Sequence, residues 1–357
     1  MPAESNILDL LVAEGIKAEL NTKRALIIQP GAIGDCILTL PLVSYMKKSL
    51  KLGSVDLLGH TEYIGFFPGR TCVDGISSID LIDLYRLFAD SREFTLADRD
   101  PLIKTFSEYS WIVSFLGEPD SNFEKNLIFT TNCSQTSEVI TLSSQPSYES
   151  EEHISDFFIR QFSNQISASF QSHSDLNQVC LIKATKTDNT KGKDLLWEFG
   201  LEPQKKLVVI QPGSGASNKN WNIDNYLSIA NELRLNNIQA VFLLGPAELE
   251  RFSNETIQNM TNITKCLADL PLTEVLKVLT CTDVFIGNDS GMTHLAASMG
   301  INTLVIFGPT NPKHYKPIGP KVRVFSERDE HFAKKPSMKL RSDLIKILLS
   351  EILHTDS

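Results

Sequence analysis

Short apolar runs that stop at Pro-Gly or Gly-Pro recur along this chain, and between them apolar residues return at helical spacing. The second half reads most clearly. Residues 207–210, 240–244, 283–287 and 303–307 read as strands, with a weaker one near 263–267. Tyr226, Leu227, Ala230 and Leu233 share one helical face; Leu272, Val275, Leu276 and Leu279 share another. Residues 290–299 form a third helix, closed by Gly300, a residue suited to the left-handed position after a helix. Near-continuous apolar strands alternating with helices predict a parallel sheet covered on both faces.

The first half carries the same alternation with more interruption. Residues 26–29, 55–58 and 111–115 read as strands, and 41–50 as a helix with Pro41 near its start. Residues 130–150 are polar and rich in Ser and Thr, a surface loop with at most one short strand. Ile154, Phe157, Phe158 and Phe162 mark an amphipathic helix. Residues 183–193, KATKTDNTKGK, read as a linker. Leu340, Leu344, Ile347, Leu348 and Ile352 give the last helix one apolar stripe, expected to pack back towards the N-terminal domain.

An internal echo organises these elements. Residues 26–31 read LIIQPG and residues 208–213 read VVIQPG, each a strand ending in a Pro-Gly loop that leads into a helical pattern. Two similar α/β halves follow: a Rossmann-like domain over 1–190, another over 191–335, and a C-terminal helix in 336–357. A length of 357 residues fits two domains.

With 42% apolar and 22% charged residues, the chain is neither disordered nor a fibre nor a disulfide scaffold. A formal charge of −9 argues against nucleic acid as a partner and against a broad basic membrane patch. The six cysteines are scattered, with no CxxC and no close His partner, which fits reduced thiols and no zinc site. Glu4 and Asp9 fall where a signal peptide needs basic and apolar residues, and no apolar run approaches a membrane span. The expectation is a soluble protein of the cell interior.

Ligands of open parallel sheets bind at the carboxyl ends of the strands, so the loops there hold the candidate chemistry. In Pro30-Gly31-Ala32-Ile33-Gly34-Asp35, Gly31 and Gly34 let a ligand or a second backbone approach. Asp35 is placed either to take a proton from an acceptor hydroxyl or simply to cap the following helix. The loop is neither a Walker loop nor GxGxxG. In the second half, Ser214 and Ser217 offer hydroxyls to phosphate oxygens, and Lys219 is either a diphosphate-neutralising charge or a solvated loop lysine. Asn288-Asp289-Ser290-Gly291-Met292-Thr293-His294 is the strongest local signal. The amides of Ser290, Gly291, Met292 and Thr293 head a helix where an anion is welcome. Asp289 accepts bonds from sugar hydroxyls or caps that helix; His294, one turn in, reads first as a packed residue. Glu248, with Glu250 close behind, can bind a ribose diol or be a solvated helix-start acid. Thr310 lines the same cleft or sits in a plain turn.

Taken in order, QPGAIGDCILTLP at 29–41, QPGSGASNKNW at 211–221, LLGPAELE at 243–250 and IGNDSGMTHLAASMGINTLVIFGPTNP at 286–312 resemble glycosyltransferase family 9, the heptosyltransferase-like enzymes that use ADP-heptose to build lipopolysaccharide core. The resemblance implies a GT-B architecture: two Rossmann-like domains facing across a cleft, acceptor on the N-terminal side and nucleotide-sugar on the C-terminal side. It implies Asp35 as general base and Lys219 at the diphosphate. It also implies Asp289 at the donor sugar, Ser290 to Thr293 at the phosphates and Glu248 at the ribose. The activity implied is inverting, needs no metal or cofactor, and moves heptose from ADP-heptose to a glycolipid or oligosaccharide acceptor. The location implied is cytoplasmic, with peripheral contact at the inner membrane face.

Residues 60–200 depart from that picture. Arg70, Arg86, Arg92 and Arg99 are interspersed with acids, where a heavily phosphorylated or Kdo-rich acceptor calls for a basic cluster. Two other readings compete. A nucleotide-sugar epimerase on the same plan needs no acceptor, and a non-catalytic nucleotide-sugar binder needs no base, so Asp35 and Lys219 together count against the latter. The lack of GxGxxG disfavours a dehydrogenase.

Overall fold

Five parallel strands organise the N-terminal part of the chain: β1 (Arg24–Ile28), β2 (Ser54–Gly59), β3 (Gly75–Ser78), β4 (Trp111–Ser114) and β5 (Glu138–Thr141), in the order β3-β2-β1-β4-β5. Six more, β6 (Leu207–Gln211), β7 (Gln239–Leu244), β8 (Lys265–Ala268), β9 (Val284–Asn288), β10 (Asn302–Phe307) and β11 (Val322–Ser326), form a second parallel sheet ordered β11-β10-β9-β6-β7-β8. Counted within each sheet, both orders run 3-2-1-4-5, the second adding a sixth strand. The order reverses between the first and fourth strands, at β1/β4 and β6/β9, which is where such sheets bind ligands. The echoed Gln-Pro-Gly turns leave β1 and β6 at those two points.

The computed structural model describes residues 23–146, 150–167, 179–327 and 332–353. The expectation drawn from Glu4 and Asp9 lies outside them, as do residues 147–149 of the polar loop and 354–357 of the C-terminal segment. Two compact units result. One runs to residue 150 and includes residues 154–167; the other takes residues 151–153 and the described chain from 179 onward.

The helices of the first unit are α1 (Ile33–Ser49), α2 (Thr61–Ile64), α3 (Pro101–Phe106), α4 (Asn122–Asn132) and α5 (Ile154–Gln165). Leu26, Ile28, Leu58 and Ile112 of the strands pack with Phe106 of α3, Phe123 and Leu127 of α4, and Leu84 and Leu87 of an intervening 3-10 turn. On α1 and α5, the Ser155 hydroxyl donates to Leu38 O (2.7 Å) and Tyr45 meets Phe162 edge-on. Helix α1 begins at Ile33, eight residues before the helix expected from Pro41. Every residue from Cys36 to Val43 is buried, so the first turns show no polar face and no helical period. Pro41 sits inside the helix instead of near its start.

In the second unit the helices are α6 (Lys186–Glu198), α7 (Ile223–Leu235), α8 (Pro246–Arg251), α9 (Asn254–Ile263), α10 (Leu272–Leu279), α11 (Gly291–Ser298), α12 (Pro312–Tyr315) and α13 (Met338–Leu353). The run 183–193 is not a linker. Thr185 and Asp188 cap α6, which packs along α10; a Cβ on Gly192 would come within 2.2 Å of Lys277 O. Within α6, Asp188, Gly192 and Leu196 are the buried positions, so its sequence looks solvated while its backbone is ordered. The last helix also differs from expectation. Leu344, Leu348 and Ile352 of α13 are buried with Tyr226, Ile229 and Leu233 of α7 in the core of the second unit itself. Strands β3 and β11 escape the sequence pattern because both are sheet edges with no fully buried position.

Candidate functional site

At the carboxyl ends of β6, β7 and β9 a buried polar network takes the place of apolar packing. Gln211 ends β6. Its Nε2 donates to Glu248 Oε1 (2.6 Å), and its Oε1 accepts from the Ser290 hydroxyl (2.7 Å). Asn288 ends β9. Its Nδ2 donates to Pro212 O (2.7 Å), while its Oδ1 accepts from Trp221 N (2.9 Å) and the Tyr226 hydroxyl (2.8 Å). Two amides thus join three loops that are far apart in sequence. Buried polar groups need partners, and these satisfy one another.

Glu248 is buried, and Glu250 faces solvent. Burial pushes the Glu248 carboxyl above its ordinary range against the hydrogen bonds from Gly245 and Gln211. Its Oε2 accepts from Gly245 N (2.8 Å), the amide of the residue just before α8. A Cβ on Gly213 would fall 1.9 Å from Glu248 Oε1, so this glycine is what admits the carboxylate beneath the loop. Arg251 clamps the same loop from outside, donating to Ser214 O (2.7 Å) and Gly215 O (2.8 Å).

Above this floor stands Asp289. Its Oδ2 receives Lys219 Nζ (2.9 Å) and the Thr310 hydroxyl (2.8 Å), and His294 Nε2 lies 3.7 Å from Oδ1. Burial pushes the carboxyl up, but His294 and Lys219 outweigh it and hold it at about 2. Lys219 is about a third exposed, so its ammonium bridges a buried carboxylate and open solvent. His294 is buried and its Nδ1 has no hydrogen-bond partner among the described residues.

Ser290 caps α11, and the amides of Gly291 and Met292 head its first turn. Thr293 is different from what its position suggests. Its amide donates to Ser290 Oγ (3.3 Å) and its hydroxyl to Asn288 O (2.6 Å), so both its polar groups face inward. Ser214 is likewise turned inward, donating to Asn220 Oδ1 (2.7 Å), whereas Ser217 is exposed. A cavity of about 530 Å³ lined by Lys186, Thr282, Asn302 and Lys321 opens at the opposite, amino-terminal ends of β9 to β11, away from this network.

The first unit has its own Gln-Pro-Gly turn. Gln29 Oε1 accepts from Gly31 N (3.0 Å), and its Nε2 donates to Thr39 Oγ1 (2.9 Å), which in turn donates to Asp35 O (2.8 Å). Asp35 is exposed in the first turn of α1, where its Oδ2 accepts from Ala32 N (3.0 Å). It caps the helix in the manner that Glu248 caps α8. A Cβ on Gly31 would lie 2.7 Å from Asp35 Oδ2, so the turn is open for that carboxylate. Gly34 is half-buried in the same turn. The next residue, Cys36, is buried, and burial together with the Asp35 charge pushes its thiol up to about 12.

Sequence reasoning assigns no role to Asn288, Gln211 or Arg251. The echo marks Gln211 only as a strand end, and nothing local marks Arg251. Among the described residues no three His, Cys, Asp or Glu side chains cluster to hold a metal ion.

Residues 150–344 match the profile of glycosyltransferase family 9 (heptosyltransferase). A curated relative, lipopolysaccharide core heptosyltransferase OpsX of Haemophilus influenzae, is 26% identical over 162 residues, 44% of this chain and 46% of the relative. The chain therefore spans about half the length of that relative. Among solved structures, a family 9 glycosyltransferase from Veillonella parvula superposes with a TM-score of 0.67 at 17% identity, covering 93% of this chain and 98% of the other. The structure titled ADP-heptose lps heptosyltransferase II from E. coli gives 0.66 at 14% identity, covering 94% and 100%. These likenesses give the fold: two parallel-sheet Rossmann-like domains of the GT-B class.

Proposed function

The chain belongs to glycosyltransferase family 9, and from that premise we propose that it is an inverting, metal-independent glycosyltransferase moving heptose from ADP-heptose to a lipopolysaccharide-core or related glycan acceptor. The observation that carries the proposal is the Lys219–Asp289–Thr310 cluster beside the first turn of α11, at the point where the second sheet reverses its strand order.

In this reading the second unit binds the donor. Lys219 and the Gly291 and Met292 amides receive the diphosphate, and Asp289 takes sugar hydroxyls while holding Lys219 in place. His294, Thr310 and Ser217 complete the surround, and Ser214 holds the loop from within. Glu248, buried at the end of β7, is the ribose-side acid in preference to solvent-facing Glu250.

The first unit brings the acceptor, with Gly31 and Gly34 leaving room beside Asp35. Asp35 takes the acceptor hydroxyl proton as the oxygen attacks the anomeric carbon from the face opposite the diphosphate. The new C–O bond forms as the bond to the diphosphate oxygen breaks, its electron pair leaving on ADP, and the anomeric configuration inverts. Charge grows on the departing diphosphate, so an ammonium and fixed amides there stabilise the transition state more than the bound donor. A cytoplasmic protein that touches the inner membrane face at its periphery suits such an acceptor, and no nucleic acid takes part. Among the described residues no helix is long and apolar enough to cross a membrane.

Thermal-shift measurements with ADP-, UDP- and GDP-sugars test the donor assignment, because a ligand bound by the native state alone raises the melting temperature. A shift with the ADP-sugar only is expected. Equal shifts with all three, or none, would sink it. Incubation with ADP-heptose and a panel of acceptors then separates transfer from acceptor-independent isomerisation.

A further inference from the structure

Helix α8 grips the loop that carries Lys219 from two sides. Glu248 and Arg251 lie three apart and so share a face of α8. The buried Glu248 carboxylate lies beneath Gly213. The exposed Arg251 guanidinium reaches over the same loop, to Ser214 O through Nη1 (2.7 Å) and to Gly215 O through Nη2 (2.8 Å). A basic residue in the last turn of a helix ordinarily offsets that helix's own carbonyl pole. Arg251 instead donates to two consecutive carbonyls of another segment, 37 and 36 residues away, and among the described residues no carboxylate forms an ion pair with it.

The loop is braced internally, so it is held as one piece. The Ser214 hydroxyl lies 2.8 Å from Ala216 O and 2.7 Å from Asn220 Oδ1. Lys219 N donates to Ala216 O (3.0 Å) and Asn220 N to Ser217 O (3.2 Å). Gly215, Ser217 and Asn218 are exposed, so little packing fixes the segment. Its ends are tied to the rest of the unit: Arg251 holds 214–215, and Lys219 Nζ meets Asp289 Oδ2 (2.9 Å).

We propose that Arg251 is a positioning residue. By clamping Ser214 and Gly215 it sets where the braced loop delivers the Lys219 ammonium, and so holds the diphosphate-receiving cation in place before the donor arrives. The inference rests on the reading of Lys219 as the group that meets the diphosphate. A loop free to wander must be ordered when its ligand binds, and that ordering is subtracted from affinity. In the same reading α8, six residues long, fixes both the ribose-side acid and the lysine at the diphosphate, and with them the distance between the two.

Titration calorimetry with ADP and hydrogen–deuterium exchange over 214–220 test this on the full chain. Arg251→Ala is expected to melt within a few degrees of wild type, because the side chain is exposed. Without ligand its 214–220 amides should exchange several-fold faster. ADP should bind about tenfold more weakly, the worth of one charge-assisted hydrogen bond. Two further variants separate positioning from direct attraction. Arg251→Lys keeps the charge but not the fork that spans two carbonyls, so it should stay closer to Arg251→Ala than to wild type. In a Lys219→Ala background, Arg251→Ala should cost no further ADP affinity, because the group it positions is gone.

An Arg251→Ala variant whose loop exchanges like wild type, or which binds ADP as tightly, would overturn the proposal. So would an Arg251→Lys variant that binds ADP like wild type, or losses that add in the double variant; either makes Arg251 a charge acting on the ligand directly. Failure of the donor reading looks different. Wild type would then not bind ADP although Arg251→Ala still loosened the loop, and the role at the diphosphate would fall with it. ADP binding that Arg251→Ala leaves untouched strikes the clamp alone.

Discussion

The two Gln-Pro-Gly turns start from the same six-residue pattern and are built in different ways. In the first unit Gln29 ties to Gly31 and Thr39, within ten residues of itself, and the result is a local brace for the first turn of α1. In the second unit Gln211 ties to Glu248 and Ser290, 37 and 79 residues away, and the result is a floor shared by three loops. One turn presents a solvent-facing carboxylate, Asp35, on a helix end. The other supports a buried carboxylate, Asp289, neutralised by an ammonium group. Under the proposed function, the open, locally braced turn presents the base and the buried, cross-linked one fixes the charge beside the diphosphate.

The largest expected effects separate these roles. Asp35→Asn keeps an oxygen able to accept from Ala32 N, so the cap survives and the melting temperature should hold. Turnover should fall by about 10²–10⁴, the usual worth of a general base. Donor affinity, measured by titration calorimetry, should stay within a few-fold. Unchanged turnover in this variant would reduce Asp35 to a helix cap. Lys219→Ala should cost about 10²–10³ in turnover and weaken nucleoside diphosphate binding as well, since its ammonium is expected at the leaving group. If Lys219→Ala lost stability but no activity, the lysine would be a structural partner of Asp289 alone.

Much of the fold is legible in the amino-acid pattern alone, and what is not has a physical reason. Eight of the eleven strands coincide with the apolar runs read from the pattern; β5 falls in the polar stretch 130–150, read as a loop with at most one short strand, and β3 and β11 are edges, exposed enough to look like loops. Helix α6 reads as a linker because its contact with α10 is made by Gly192, through the absence of a side chain. The start of helix α1 is hidden because burial on all sides erases amphipathic period. The site loops are legible from Gly, Pro and strand ends. Their cross-links are not, because Gln211, Asn288 and Arg251 act on residues tens of positions away, and a single sequence does not record which loops meet.

Removing the two glutamines tests that distinction directly. Gln211→Ala strands a buried Glu248 oxygen, while the Ser290 hydroxyl keeps Thr293 Oγ1 (3.0 Å), and should cost about 2–3 kcal/mol in urea unfolding. Gln29→Ala leaves Thr39 still bonded to Asp35 O, and should cost about 1 kcal/mol. Equal losses would mean that the two turns are braced alike and that the local-versus-shared contrast is wrong.

A further effect is read in acid, and again sets the units against each other. Each holds a carboxylate at about 2: Asp100, through the bidentate hydrogen bonds of Arg86, and Asp289, where His294 and Lys219 overcome burial. A carboxylate depressed from 3.8 to about 2 contributes stability that is full above the unfolded value and disappears as pH falls through the folded one, about 2 kcal/mol for Asp289. Lys219→Ala removes part of that depression in the second unit and leaves Arg86–Asp100 of the first untouched. The stability gap between wild type and Lys219→Ala should therefore be constant at neutral pH and close between about pH 4 and 2. Arg86→Ala should show the same closing gap through Asp100, and the double variant the sum of the two, because the pairs share no partner. A gap that stays open below pH 2 would mean that Lys219 stabilises the fold by something other than its pairing with ionised Asp289.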